Sequence, residues 1–283
     1  MGLLNFITQG CDSLSATAAP SVTAMGLRMC IALATIMLVW FGVQEALASS
    51  QGGPGFSMSR FLSFFMLITF AYVMVKYYDS SIPGLGSSIK GYINGGAQNL
   101  VQLIGTDSTD QMMNTLSQAQ QNAGPGMVAS FEQPYLVLIF AITQVLLGLL
   151  SALIAAIVGY GAIASTVVGL LGPVFIPFLV FDKLDFLFWG WLKAFISFSF
   201  YKVVAAACLS VLSHILTAYY TNFINATDPA TMVKNFPLLL LLILVNVFVL
   251  LKIPALTASI FSGSSSGHDG GMGMITTAIM ALG

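Results

Sequence analysis

Charge is what this sequence lacks most. Of 283 residues only 7% are charged, nine Lys/Arg and ten Asp/Glu, while 57% are hydrophobic; a soluble domain carries about 25% charge. Too few charges remain to cover a water-facing surface, which excludes an ordinary water-soluble enzyme and makes lipid the expected solvent. A net charge of -1 leaves no basic excess to neutralise phosphates, so nucleic-acid affinity through counterion release is also excluded. Any contact with DNA is then steric or transient. Cysteine is scarce as well: Cys11, Cys30 and Cys208 are too few and too scattered for a disulfide framework or a thiolate metal site and read as small apolar fillers. The first 27 residues contain no Lys or Arg, so the positive region of a secretory signal is missing and no cleaved signal is expected. Thr8-Gln9-Gly10 before Cys11 lacks the apolar residue a lipoprotein signal places there, so lipidation is not expected either.

What the sequence has instead is long uncharged runs, and its few charges mark their ends. A membrane helix needs about 20 mostly apolar residues. Sixteen uncharged residues, Met29 to Gln44, separate Arg28 from Glu45, with apolar register on to Ala48; they predict span one. Phe61 to Val75, after Arg60 and before Lys76 and Tyr77-Tyr78, predicts span two, ending in an aromatic belt. From Gln133 to Phe181 run 49 uncharged residues, the length of two spans linked near Gly159-Tyr160-Gly161. Val203 to Thr227 supplies span five, and Leu238 to Leu251 span six, interrupted by Lys252 and Pro254. The expected fold is therefore an all-α polytopic helical membrane protein with about six transmembrane helices, five if one is re-entrant, and a central amphipathic-helical loop.

The organisation follows: an N-terminal amphipathic segment (1–26), transmembrane helices 1–2 (27–78), a central polar loop (79–133), transmembrane helices 3–6 (134–261) with an interfacial helix at 182–197, and a Gly/Ser-rich tail (262–283). In the central loop Ile82, Leu85, Ile89, Tyr92 and Ile93 recur at three- and four-residue steps, and Met112, Met113 and Leu116 repeat the pattern. Two short amphipathic helices against the membrane or a partner are expected, bounded by Pro83-Gly84 and Gly124-Pro125-Gly126. Six spans would put Arg28, Lys76, Lys90, Lys183, Lys193 and Lys252 on one side and Arg60 and Lys234 on the other, which favours a cytoplasmic central loop.

Motifs for chemistry are thin. Gly263-Ser264-Ser265-Ser266-Gly267 matches G-x-S-x-G formally, but no strand precedes it to strain the serine, and a Ser/Gly linker matches by composition. His214 lies within span five; no titratable partner at membrane depth accompanies it, and hydrogen bonding to a neighbouring helix is expected. No metal, cofactor or catalytic residue is indicated. The densest cluster is Asp182, Lys183, Asp185, Trp189, Trp191, Lys193 and Lys202. On a helix Asp185, Trp189 and Lys193 stack at four-residue steps, as suits an interfacial anchor or a subunit contact. Lys202, two turns on, would snorkel to headgroups or pair with an acid on another chain. In span three Gly148, Ala152 and Ala156 form one row of small residues and Ser151, Ala155 and Gly159 the adjacent one, a helix-packing surface whose default partner is internal.

A resemblance rests on these residues. The run Leu171-Gly172-Pro173-Val174-Phe175-Ile176-Pro177, the acidic break at Asp182 and Trp189-Gly190-Trp191-Leu192-Lys193 follow a polar central loop. Tyr77-Tyr78-Asp79 leading to Ile82-Pro83-Gly84 precedes them, and Ile253-Pro254-Ala255 comes after. Over residues 28–267 this order resembles the TrbL family, polytopic inner-membrane subunits of conjugative type IV secretion machines. The resemblance implies a non-enzymatic core component that supports pilus assembly and passage of a DNA-protein substrate. It implies a homo-oligomer around the translocation axis, with a pentamer among the assemblies it allows, and a periplasmic central loop. Implied partners are pilin and pilus-tip subunits, secretion ATPases and bitopic scaffold subunits, with the lipid bilayer around and DNA only in transit. It gives Gly172, Pro173, Trp189, Trp191 and Lys193 a shaping and contact role. Pro173 and Pro177 are expected to bend span four, since each removes a backbone donor. A small-solute transporter or ion channel is the alternative, for which Gly159-Tyr160-Gly161 and the two prolines would mimic broken helices.

Overall fold

The computed structural model describes residues 3–50, 57–105, 110, 112–117, 134–219 and 229–262. All regular structure among them is helical: α1 Leu3–Ser50, α2 Met58–Lys76, α3 Ile89–Gly105, α4 Pro134–Leu170, the short α5 Gly172–Phe175 with the 3-10 turn Ile176–Val180 behind it, α6 Asp185–Tyr219 and α7 Pro229–Ser262. Five of these are long and apolar enough to cross a membrane, α1, α2, α4, α6 and α7. The chain is an all-α, multi-pass membrane protein.

The count is five, because the break expected between spans three and four is not a break. Residues 134–170 form one helix through Gly159-Tyr160-Gly161, so the link between spans three and four does not exist. Glycine inside a helix costs only about 1 kcal/mol relative to alanine, and both glycines are used for close packing. A Cβ on Gly159 would press on Ile7 of α1, and one on Gly161 would overlap the Tyr201 ring. The interfacial helix at 182–197 likewise is not a separate element. The chain turns at 182–184, and α6 then runs unbroken from Asp185 into the expected span five, since no Gly or Pro stands between Lys193 and Val203 to stop it. Pro254 does not end α7, which continues to Ser262; a proline deletes one backbone donor, and neighbouring helices support the turn. The Ser/Gly tail with its G-x-S-x-G match, together with Gly124-Pro125-Gly126, lies outside the described residues.

Contacts set the helices in two sections joined end to end. In the first, α4, α6 and α7 pack around Leu147, Leu150, Ile154, Leu209, Leu212, Leu216, Leu239, Ile243 and Leu250. In the second, α2 lies antiparallel on the later half of α1, with Cys30, Ala71 and Val180 buried between them and Phe41 stacked on Phe64 at 5.5 Å. Between the two sits a third core of Val75, Tyr78, Ile176, Phe188, Trp191 and Phe195. The early half of α1 runs beside α4, from Ile7 at Gly159 to Gly26 at Pro173. Beyond Gly26 the same helix continues for 24 residues, about 36 Å, past the end of α4.

Candidate functional site

The join between the sections gathers most of the residues singled out in the sequence. α2 ends at Lys76, and the chain turns back through Gly84 and Gly86, both at positive φ (87° and 70°). Ile89 and Lys90 N–H donate to the Tyr77 and Tyr78 carbonyls at 3.2 and 3.1 Å, so α3 starts where α2 stops. Tyr78 is fully buried. Its hydroxyl donates to the Gly169 carbonyl at 2.7 Å, satisfying one of the orphan carbonyls at the end of α4. Its ring occupies the space a side chain on Gly172 would fill. Burial, and then the Asp79 carboxylate, push the Tyr78 phenol far above its ordinary value, so it stays a neutral donor at every physiological pH.

Pro173 and Pro177 are the second residues of α5 and of the 3-10 turn, in the first turn, where a missing N–H costs little. They build the turn between α4 and α6 rather than bend a fourth span, and both are buried. Gly26 of α1 accepts the Pro173 backbone at a distance that no Cβ would allow.

The Trp189/Trp191 pair divides. Trp191 is 6% exposed and points inward. Its indole N–H donates to the Val168 carbonyl at 2.9 Å, its ring stacks on Phe195 at 5.5 Å and 9°, and Tyr78 lies at 5.9 Å. Trp189 is 51% exposed and rests edge-on against Phe188 at 5.1 Å. Along the stripe of Asp185, Trp189 and Lys193, Asp185 is half-buried and the other two are exposed.

A polar clasp closes the other flank. Lys90 Nζ meets Asp79 Oδ1 at 3.3 Å and donates to Ser15 Oγ at 2.9 Å, while Thr23 Oγ1 donates to Asp79 Oδ2 at 3.3 Å. Asn94 of α3 accepts from Ser199 of α6 at 3.0 Å. The clasp ties α1, α3 and the α2 terminus together, and none of its members stood out in the sequence beyond the Tyr77-Tyr78-Asp79 run. Lys90→Met should destabilise by about 1–3 kcal/mol, because Asp79 keeps a half-buried charge without its partner. A double-mutant cycle with Asp79→Asn, followed by unfolding in detergent, should return a coupling above about 0.5 kcal/mol.

Elsewhere the expected residues scatter. Lys202 is half-buried on α6, within electrostatic reach of Asp12 of α1. His214 is exposed, with Nδ1 2.8 Å from the Ser210 carbonyl; its partner is its own helix, not a neighbouring one. Of the two small-residue rows on α4, Ala155 and Gly159 are buried and serve internal packing, whereas Ala152 and Ala156 are exposed and Gly148 has nothing within 4 Å of its Cβ position. The Gly148, Ala152 and Ala156 row thus has no internal partner among the described residues. Nor do three His, Cys, Asp or Glu side chains converge anywhere among them to hold a metal ion.

What this geometry does is hold helices together. Comparison with curated proteins finds no match. The family model described as TrbL/VirB6 plasmid conjugal transfer protein matches residues 34–253, most of the chain and, within the join, Tyr78, Gly172 and Trp191, so this chain belongs to the TrbL/VirB6 family and is a membrane component of type IV conjugal transfer.

Proposed function

We propose that the chain is an inner-membrane core component of a type IV secretion and conjugation apparatus, supporting pilus assembly and passage of a DNA-protein substrate by scaffolding rather than catalysis. The single observation that carries this reading is membership of a conjugal-transfer family over residues 34–253, a family of transfer components and not of known enzymes. The structure supports it through its surface. α4 carries no charged side chain along its 37 residues, and Val145, Leu149, Leu241, Leu244 and Phe248 present an apolar exterior for lipid or for further subunits.

The assembly we propose is a homo-oligomer that meets pilin and pilus-tip subunits, secretion ATPases and bitopic scaffold subunits. Its contact residues are Asp185, Trp189 and Lys193 on the outer face of α6 and the open Gly148, Ala152 and Ala156 row on α4. Trp189 is the anchor, because a large exposed aromatic flanked by charges has the composition of an interface hot spot, and its truncation costs about 2 kcal/mol or more. The transporter alternative loses its broken helix, since α4 is continuous through Gly159-Tyr160-Gly161.

Donor cells carrying Trp189→Ala in place of the natural chain test the proposal. Membrane levels of the protein should match wild type while plasmid transfer falls at least about tenfold, the equivalent of about 1.4 kcal/mol of lost association. Full transfer with normal pili would refute the contact role.

A further inference from the structure

The antiparallel pair of α1 and α2 carries a groove that the join does not use. It has a volume of about 440 Å³, within the range of about 300–1,000 Å³ of small-molecule clefts. Cys30, Phe64 and Ile68 form its floor, over the small core with Ala71 and Val180. Ile31 and Thr35 on α1 and Phe65, Thr69 and Tyr72 on α2 are its exposed lips. The two hydroxyls in the lining are already satisfied: Thr35 Oγ1 donates to the Ile31 carbonyl and Thr69 Oγ1 to the Phe65 carbonyl, each at 2.8 Å. What the groove offers a ligand is therefore hydrocarbon. Its lining covers about 12 Å of α1, from Cys30 to Leu38, and about 16 Å of α2, from Phe61 to Tyr72, at 1.5 Å per residue. One leaflet of a hydrocarbon core is about 15 Å deep.

Charge stands at the two ends of this helix pair and nowhere between them. Because α2 runs antiparallel to α1, Arg28 and Lys76 share one end, and Glu45 and Arg60 the other. At the Glu45 end the two charges cancel, and Glu45 accepts the Ser57 N–H at 3.4 Å. At the opposite end both are cations. Arg28 precedes Ile31 and Thr35 by three and seven residues, and Lys76 follows Tyr72 and Thr69 by four and seven, so each continues one lip of the groove. Both are exposed. The one ion pair among the described residues is Lys90 with Asp79, so no described carboxylate neutralises either of them. Lys76 Nζ lies 5.6 Å from the Tyr77 ring centroid, a contact that leaves its charge in place. We propose that the groove binds one anionic diacyl phospholipid, with an acyl chain laid between α1 and α2 and the phosphodiester held at Arg28 and Lys76. The guanidinium can meet two phosphate oxygens at once, and the ammonium acts as a point charge. A zwitterionic lipid offers the same acyl chain but brings a cation of its own to this end. The inference needs α1 and α2 to cross the bilayer, and it stands whatever the chain does in transfer.

Native mass spectrometry of the full chain in detergent, titrated with dioleoyl phosphatidylglycerol or dioleoyl phosphatidylcholine, tests this. Each basic residue beside an anionic headgroup is worth about fivefold in affinity, so wild type should bind one phosphatidylglycerol at least about tenfold more tightly than phosphatidylcholine. Arg28→Gln combined with Lys76→Gln should bring the two lipids within about twofold of each other. Ala34→Phe fills the groove, which Ala34 lines, and keeps both cations; it should weaken both lipids at least about tenfold. Thr35→Trp takes its place if that variant does not insert. Inorganic phosphate at the same concentration should not displace the lipid. Equal affinity of wild type for the two lipids, or a preference that survives the double substitution, would overturn the proposal at the headgroup. Undiminished binding with the groove filled would overturn it at the acyl chain, and displacement by phosphate alone would mean an anion site without a lipid. A wild-type dimer that Ala34→Phe dissociates would assign the groove to a second copy of the chain instead.

Discussion

Replacing Gly172 with valine will collapse the join between the two helical sections. The position has no room, because the Tyr78 ring fills it, and Tyr78 cannot retreat while its hydroxyl is fixed on the Gly169 carbonyl. Overpacking of this kind costs about 1–3 kcal/mol in a core. Here the displaced ring also surrenders a buried hydrogen bond, which adds about 1 kcal/mol. We expect the variant to unfold in detergent about 3 kcal/mol earlier than wild type and to lose plasmid transfer. Tyr78→Ala in the same chain should recover part of the loss, so the double variant will be less impaired than the two single effects added together. Strict additivity would show that Gly172 and Tyr78 do not act on each other.

The second large effect separates two tryptophans that lie two residues apart. Trp191→Ala removes a buried ring stacked on Phe195 and an indole donor to Val168, and should destabilise by about 3–5 kcal/mol, the usual range for an aromatic truncated in a core. Trp189→Ala removes a half-exposed ring and should change stability by less than about 1 kcal/mol while still impairing transfer. Urea unfolding of both variants in the same detergent, read alongside mating frequency, distinguishes them. Similar stability losses would mean that α6 is rotated from the orientation described above.

Why the sequence read well in some places and poorly in others follows from what each signal measures. Charge-free runs report solvent, and they located α1, α2, α4, α6 and α7 because lipid tolerates little else. The same runs say nothing about helix continuity. Gly159 and Gly161 look like a link on composition, yet each exists because Ile7 and Tyr201 come too close for a side chain, and those partners lie far away in sequence. Pro173 and Pro177 were legible as a bend, but whether a proline bends a helix or starts the next one depends on the turn around it. Trp189 and Trp191 could not be told apart until the phase of α6 against Tyr78 was known. The clasp of Asp79, Lys90, Ser15 and Thr23 was the least legible feature, since its four side chains come from three separate stretches and no spacing rule connects them. A helix was visible in Ile89, Tyr92 and Ile93; that it packs along α6 depends on contacts no spacing rule supplies, Ile93 on the Trp191 and Phe195 core and Asn94 with Ser199.

A scaffold inside a transfer machine should be recovered together with its companions. Affinity isolation of the wild-type protein from solubilised donor membranes, with its companions identified by mass spectrometry, addresses this most directly. We predict stoichiometric further copies of the chain together with secretion ATPases and pilin, and depletion of those companions with Trp189→Ala. Recovery of the chain alone, in a form that carries a small solute or ion across liposomes, would contradict it.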